Sequence, residues 1–212
     1  MLSLNKIKYL RSLDRKKNRT KENKIVLDGR RLIDEAINHD INIEHIWISN
    51  LLEINENKDK IINKIKKNKI KFSYEKEKNI NKVSNTKNSQ GIIALISTVD
   101  FYNQELDKFD KKIIILDQIS DPGNLGTIIR TCAWFGINSI ILTENSADIF
   151  NSKCVRSSVG SHFFIKHCTY LSYNNINKFL SKNSILTFCA DLDGKTINNK
   201  DVKNKWALLL GS

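Results

Sequence analysis

The stretch that decides the fold is "ILDQISDPGNLGTIIRTCAWFG", residues 115–136. It holds the single proline of the chain, Pro122, and three of its eight glycines. It also holds Arg130, one of two arginines beyond residue 31 in a chain that otherwise prefers lysine. Proline fixes one backbone angle, and glycine permits angles and close approaches that are closed to other residues. Their concentration predicts a specialised bend that leads into a helix.

The residues around this bend predict an open, mostly parallel α/β sheet over residues 111–212. Four consecutive apolar residues, 113–116, are typical of a parallel strand covered on both faces. After the bend we expect a helix from about Gly126 to Phe135 and a strand at "INSIILT", joined by a right-handed crossover. The pattern continues with a helix near residues 153–159 and a strand at "FFIKH". A helix near 175–180 and strands at "ILTFCAD" and "WALLLGS" complete it. Ligands of such sheets bind beyond the carboxyl ends of the strands, where the "DPGNLG" turn is predicted to lie.

A smaller α/β unit precedes this sheet. Short apolar strands such as "KIVLDG" and "IEHIWIS" alternate with amphipathic helices such as "RRLIDEAINH" between residues 22 and 98. We therefore predict a first domain over residues 1–98, comprising a basic arm and this unit. The weakly periodic residues 99–110 are predicted to form a linker to the second domain, residues 111–212.

The basic arm carries most of the excess charge. The chain has a net charge of +12, and residues 1–31 contain eleven basic and three acidic side chains. Such a segment is typical of a protein that neutralises the phosphates of a nucleic acid. A solvated, lysine-biased surface is the alternative, although five of the seven arginines fall in residues 11–31. The candidate RNA-binding residues are Arg11, Lys16, Lys17, Arg19, Arg30, Arg31 and Arg156.

Several other classes of protein fit the sequence poorly. No apolar run approaches the roughly 20 residues of a membrane span, and the first residues lack the pattern of a secretory signal. We therefore expect a cytoplasmic protein without a membrane partner. The four cysteines lack metal-ligand spacing and are expected to be reduced core thiols, and no metal is predicted. "CADLDGKT" lacks the first glycine of a phosphate loop, and G-N-L-G does not match a dinucleotide fingerprint.

The bend offers two candidate catalytic residues, Asn124 and Arg130. Asn124 can cap the following helix, whose free N–H groups favour an anion. Arg130 follows Gly126 by four residues, so its side chain is expected to point back towards Asn124. A guanidinium is suited to bidentate phosphate binding, which would explain an arginine in a lysine-rich chain. The alternative is an ordinary tight turn with a surface arginine.

These residues resemble the SpoU/TrmH family of RNA 2′-O-ribose methyltransferases, in the SPOUT class. The match to the first motif of the family lies within residues 121–136 and places Asn124, Gly126 and Arg130 in register, with Cys132 where alanine is usual. "VLDGRRLIDEA" and "NTKNSQGIIALIS" are similar to the small substrate-binding domain of the family. "NSKCVRSSVGSHF", which includes Arg156, is similar to the segment that follows the second strand, and "ALLLGS" to the opening of the second motif.

The resemblance implies an enzyme that methylates a ribose 2′-hydroxyl in rRNA or tRNA with S-adenosylmethionine as cofactor. It implies a catalytic role for Arg130 and Asn124, cofactor binding by Leu210, Gly211 and Ser212, and a homodimer. Because guanidinium rarely loses its proton, we expect Arg130 to clamp phosphate and stabilise the developing alkoxide rather than to act as a base.

The resemblance also predicts a fold of the SPOUT, or α/β-knot, type. The family continues with an acidic, glycine-rich stretch and a third motif, whereas this sequence ends at Ser212. We therefore expect that the knot-forming tail is missing. The alternative function is a non-catalytic RNA-binding protein derived from such an enzyme by loss of the cofactor-binding tail.

Overall fold

The structure is a computed structural model that describes residues 2–53, 59–86, 88–101, 106–198, 202 and 204–211. Its described part holds two sheets, each covered by helices on both faces. The second sheet is parallel throughout, which confirms the predicted mostly parallel α/β architecture.

The first sheet has four strands in the order β1-β4-β2-β3. The strands are β1 (Lys24–Asp28), β2 (Ile43–Ser49), β3 (Phe72–Glu75) and β4 (Ile92–Ser97). Strand β4 pairs antiparallel with both β1 and β2, while β2 and β3 are parallel. One face of this sheet packs on α3 (Arg30–Asn38) and α5 (Lys60–Lys67), whose buried residues lie on one side of each helix. A short helix, α4 (Asn50–Glu53), follows β2.

The basic arm is folded onto the opposite face of that sheet. It forms α1 (Leu4–Ser12) and α2 (Lys16–Glu22), and α6 (Glu77–Val83) lies beside α1. The apolar side chains of α1 share a buried cluster with Trp47 and with alternate residues of β4, and the members from the arm are Leu2, Ile7, Leu10 and Leu13. The arm is therefore an integral layer of the first unit, which the charge pattern did not predict.

The second sheet has five strands in the order β7-β6-β5-β9-β8. The strands are β5 (Lys112–Asp117), β6 (Ser139–Thr143), β7 (His167–Leu171), β8 (Leu186–Cys189) and β9 (Trp206–Gly211). Alternate residues of β5 face opposite layers: Ile114 and Leu116 contact the cluster of α7 (Pro122–Trp134), and Ile113 and Ile115 that of α9 (Tyr173–Lys182). A seven-residue helix, α8 (Ser152–Ser158), packs against α7.

Two sequence expectations about elements were wrong. The strand predicted at "FFIKH" is a 3-10 turn over Ser161–Phe164, and β7 begins at His167. Helix α7 begins at Pro122 rather than near Gly126. Local hydrogen bonds close the 3-10 turn before β7 begins, and Asp121 caps α7 at its earlier start.

The segment of residues 99–110 contains one buried anchor, Phe101, whereas Val99, Lys108 and Asp110 are exposed. Two short 3-10 turns, Val99–Phe101 and Leu106–Lys108, flank residues 102–105, which lie outside the described residues. Phe101 is buried, and its ring lies 5.5 Å from that of Phe150 and 5.8 Å from that of Phe163. One hydrophobic cluster therefore runs through both units.

Candidate functional site

The bend at residues 118–122 is closed by Asp121. Asp121 is the N-cap of α7, and its Oδ1 accepts from the backbone N–H of Asn124 at 2.8 Å. Its Oδ2 lies 2.6 Å from Lys153 Nζ, and this lysine, followed by the Asn124 N–H, lowers the pKa of the carboxyl. The helix terminus is thus already occupied by a carboxylate of the chain itself. Asn124 lies in the first turn of α7 and is not the cap, contrary to the sequence expectation.

Gly126 sets the distance between α7 and α8. A Cβ on Gly126 would lie 2.4 Å from the carbonyl oxygen of Cys154 and 1.9 Å from Ser157 Oγ. No left-handed backbone angle is needed there, so the glycine serves close packing of two helices. This contact holds the "NSKCVRSSVGSHF" segment against the bend.

Arg130 and Asn124 do not face the same point. They are six positions apart in one helix, which corresponds to about 120° of rotation and about 9 Å of rise. Arg130 is exposed and shares a line on the outer face of α7 with Thr127, Thr131 and Trp134, opposite the buried Ile129 and Cys132. The predicted convergence of both side chains on the bend assumed a helix that begins near Gly126, whereas α7 begins at Pro122 and includes Asn124.

Arg130 lines a groove of about 730 Å³ between the two units. Helix α7 and the turn at residues 159–164 form one side, and Arg31 and Glu35 of α3, with His39 directly after it, form the other. Arg31 also lines an adjoining cleft that contains Arg156. The fold thus brings together three of the arginines that the sequence selected, although about 100 residues separate Arg31 from the other two.

A glycine closes the floor of this groove. Gly160 has a φ of +88°, and a Cβ at that position would lie 2.7 Å from Glu35 Cβ on α3. Since a side chain there would be strained and would also collide with α3, Gly160 allows the two units to touch. The spacing between Arg31 and Arg130 depends on this contact.

The remaining candidate RNA-binding residues fall into two groups. Arg11, Lys16 and Lys17 are exposed on α1 and α2, and Lys16 Nζ lies 5.3 Å from the centre of the Tyr170 ring. Arg30 Nη2 is paired with Asp59 at 2.6 Å and its side chain is 36% exposed. These side chains remain accessible to a polyanion.

Arg19 departs from the prediction. It is 6% exposed, its Nη2 donates to Asp148 Oδ2 at 2.6 Å, and its Nη1 donates to the Leu13 carbonyl at 2.9 Å. A guanidinium held in this way joins α2 to the loop after β6 and does not reach a ligand at the surface. The charge of the arm concealed this role, because composition does not distinguish a buried arginine from an exposed one.

The carboxyl edge of the second sheet forms a separate candidate site. The order of the strands reverses between β5 and β9, where Asp117 and Gly211 are the last paired residues. Crevices at such a reversal are the usual ligand sites of open parallel sheets. Leu210 and Gly211, two of the three predicted cofactor-binding residues, lie at this edge, and Ser212 lies outside the described residues.

Asp117 is the polar centre of this edge. Its Oδ1 accepts from Thr143 Oγ1 at 3.1 Å, and a hydrogen bond to it raises the pKa of the exposed Tyr173 phenol. The nearest atoms to a Cβ on Gly211 would belong to Asp117 at 3.9 Å, so a ligand can approach this backbone closely. Sequence reasoning missed Asp117 and Tyr173, although Asp117 ends β5 and Tyr173 follows β7 by two residues, positions that point to this edge.

Other titratable groups serve the core. His162 is buried against Ser158 and the Ile149 carbonyl, and burial lowers its pKa to about 4. Cys132, Cys154 and Cys168 are buried as predicted, whereas Cys189 is exposed, so the expectation of a core thiol was wrong there. In the described ranges, no cluster of three or more His, Cys, Asp or Glu residues could hold a metal ion. No helix within those ranges is long and apolar enough to cross a membrane.

Comparisons with known proteins place both units among RNA-modifying enzymes. Residues 111–212 match the SpoU rRNA Methylase family, and residues 5–94 match the MRM3-like substrate binding domain. The chain is 32% identical over 160 residues to the 23S rRNA (guanosine(2553)-2′-O)-methyltransferase RlmP of Bacillus subtilis, covering 76% of this chain and 60% of that protein. It is 32% identical over 173 residues to an uncharacterized tRNA/rRNA methyltransferase of Borreliella burgdorferi, covering 76% of this chain and 68% of that protein.

A solved structure supports the fold. The SpoU methyltransferase AviRb of Streptomyces viridochromogenes, in complex with the cofactor AdoMet, superposes with a TM-score of 0.80 at 18% identity. The match covers 99% of this chain and 81% of that one. The predicted resemblance in fold is thereby confirmed.

Proposed function

The chain belongs to the SpoU rRNA methylase family, and from that premise we propose that it methylates a ribose 2′-hydroxyl of rRNA or tRNA, with S-adenosylmethionine as the methyl donor. The observation that carries the proposal is the groove between the units, in which Arg130 of the methylase-like unit faces Arg31 of the substrate-binding-like unit. Two exposed guanidinium groups on opposite walls fit a phosphodiester backbone that runs between them.

Arg130 is proposed to bind the phosphate next to the target ribose and to stabilise the alkoxide that develops on its 2′-oxygen. A guanidinium keeps its proton throughout, so it donates hydrogen bonds instead of removing the hydroxyl proton. A fixed donor that faces a developing negative charge contributes more in the transition state than in the ground state. Arg31 and Arg156 are proposed to hold the flanking phosphates, and Arg11, Lys16, Lys17 and Arg30 to add long-range attraction for RNA.

The methyl donor is proposed to bind at the reversal between β5 and β9. When bound, it supplies an electrophilic methyl group on a positively charged sulfur. The residues present fit part of such a molecule: Gly211 leaves room at the backbone, Leu210 offers apolar surface, and Asp117 has lone pairs free for hydroxyl donors. Asn124 lies in the first turn of α7 near this edge and is proposed to orient polar groups there.

Proposals on the class of RNA, the cellular location and the oligomeric state follow from the family. The relatives from B. subtilis and B. burgdorferi favour action on ribosomal or transfer RNA in the bacterial cytoplasm. The homodimer that the family resemblance implies stays a prediction for this chain. The B. subtilis relative is longer than this chain, which spans 60% of it.

The test is methyl transfer from labelled S-adenosylmethionine to total rRNA or tRNA, with the product identified by its resistance to alkaline cleavage at the modified ribose. Arg130→Lys is expected to fold normally and to bind RNA with little change. It should transfer methyl groups about 100-fold more slowly, because an ammonium lacks the fork geometry. Arg15→Lys, at an exposed arginine outside the groove, is the matched control and should keep the parental rate.

The outcomes separate the hypotheses. A rate close to the parental one in Arg130→Lys would contradict the role given to this guanidinium. Tight RNA binding by the parental chain without any transfer would support the non-catalytic RNA-binding alternative.

A further inference from the structure

Two large aromatic side chains stand exposed beside the arginine groove. Trp134 is 86% exposed and Phe135 is 72% exposed, at the carboxyl end of α7. By contrast, Trp47 is 5% exposed and lies in the core of the first unit. Exposure of so much aromatic surface is costly in water, so adjacent rings of this kind usually mark a binding surface.

Arginines and apolar side chains both surround these rings, and the apolar neighbours in the groove are Ala133, Val159 and Phe164. Trp134 and Phe135 line the same groove as Arg31, Arg130 and His39, with Glu35 as the one carboxylate among the described lining residues. Two arginines against one carboxylate give the groove a positive charge, and aromatic rings next to arginines are typical of sites that bind single-stranded nucleic acid. The composition of the groove therefore favours a polyanion with flat, stacking groups.

The spacing places a phosphate-binding group directly beside a ring. Arg130 and Trp134 are four positions apart in α7, so they are neighbours on its exposed face with about 6 Å of rise between them. The opposite face of the helix is fixed in the core by Leu125, Ile129 and Cys132. The two groups are thus held in a constant relation by a rigid element.

We propose that Trp134 and Phe135 form a stacking platform for an unpaired base that neighbours the target ribose. The proposal rests on the proposed function and deepens it, since it assigns the substrate class as single-stranded or looped RNA. Bases in a duplex are already stacked on each other, whereas an unpaired base gains a new partner on an aromatic ring. Arg130 then binds the phosphate of the same nucleotide segment, and the platform selects for unpaired structure.

The test compares an unpaired RNA oligonucleotide with an RNA duplex of equal length. The parental chain should bind the single strand better, and the fluorescence of the exposed Trp134 should be quenched on binding. Trp134→Ala should weaken single-strand binding about tenfold, the expected loss for one stacked base, while the salt dependence stays the same because no phosphate contact is lost. Trp134→Phe keeps a ring and should lose less than about threefold.

Leu51→Ala is the matched control, since Leu51 is 54% exposed on α4 and does not line this groove. It should bind like the parental chain. Equal binding of the single strand by Trp134→Ala and by the parental chain would overturn the proposal. A concentration-dependent mass that Trp134→Ala abolishes would also overturn it, by showing that the rings join two copies.

The same measurements separate the two proposals. If the parental chain binds the single strand through Trp134 but transfers no methyl group, the proposed function is contradicted and the stacking platform is supported. If Trp134→Ala changes neither methyl transfer nor binding of the single strand, only the stacking platform is contradicted.

Discussion

At the scale of the residue, Gly126 shows that a sequence can mark an important glycine without deciding why glycine is needed there. The sequence offered two reasons for this glycine, a permissive backbone angle or a close approach of another group. In the structure it lies inside α7, where its missing side chain lets Cys154 and Ser157 of α8 approach. Arg130 is exposed on α7, and its position relative to Asn124 depends on where that helix begins, which is at Pro122. The sequence alone placed that start too late.

Gly126→Ala is expected to lower the free energy of unfolding by about 1–3 kcal/mol through overpacking. In an exposed helix the same change would stabilise by about 1 kcal/mol, so the sign itself is informative. Chemical denaturation followed by circular dichroism measures the difference.

The double variant Gly126→Ala, Ser157→Ala is the control for this prediction. It removes the contact with Ser157 Oγ, but the Cys154 carbonyl at 2.4 Å remains, so recovery should be partial. If Gly126→Ala were as stable as the parental chain, the helices would not be in the close contact described.

At the scale of the element, regular apolar patterns were predicted well and charged segments were not. The strands β1, β2, β5, β6 and β9 lie where their apolar runs predicted them. Helix α6 and the two helices of the arm were missed, because scattered lysines and asparagines hide their sparse apolar residues. Ile7 and Leu10 of α1 are buried, yet in the sequence the basic residues around them dominate.

Leu10→Ala is expected to lower the free energy of unfolding by about 2–5 kcal/mol, because Leu10 is 1% exposed and its loss leaves a cavity. Lys8→Ala, at an exposed position of the same helix, should change it by less than about 0.5 kcal/mol. Urea denaturation of both variants measures the effect. A Leu10→Ala protein of parental stability would mean that the arm does not pack on the first sheet.

At the scale of the whole molecule, contacts between the two units position the arginine groove. They comprise the Arg19–Asp148 pair, the packing of Phe101 on Phe150 and Phe163, and the approach of Gly160 to Glu35. None of these pairs has a local signal in the sequence, because each joins residues far apart along the chain. The groove could therefore be found only in the structure, although the sequence had already selected its two arginines, Arg31 and Arg130.

Asp148→Ala is expected to lower the free energy of unfolding by about 3–5 kcal/mol, because it leaves the Arg19 guanidinium buried without a counter-charge. Arg19→Met combined with Asp148→Leu removes both charges and should recover most of that loss. Thermal unfolding monitored by calorimetry measures both variants. Equal destabilisation by the single and the double variant would show that the ion pair does not set the effect.

The uneven accessibility of the four thiols has a practical consequence. Burial raises the pKa of Cys132 to about 11 and that of Cys168 to about 12, and Cys154 is shielded in the same way. Cys189 is exposed at the end of β8, paired in register with Leu209 of β9. A maleimide dye would therefore label the native chain at one point, a strand away from the β5–β9 reversal, and its emission would report occupancy of that crevice without any engineered cysteine.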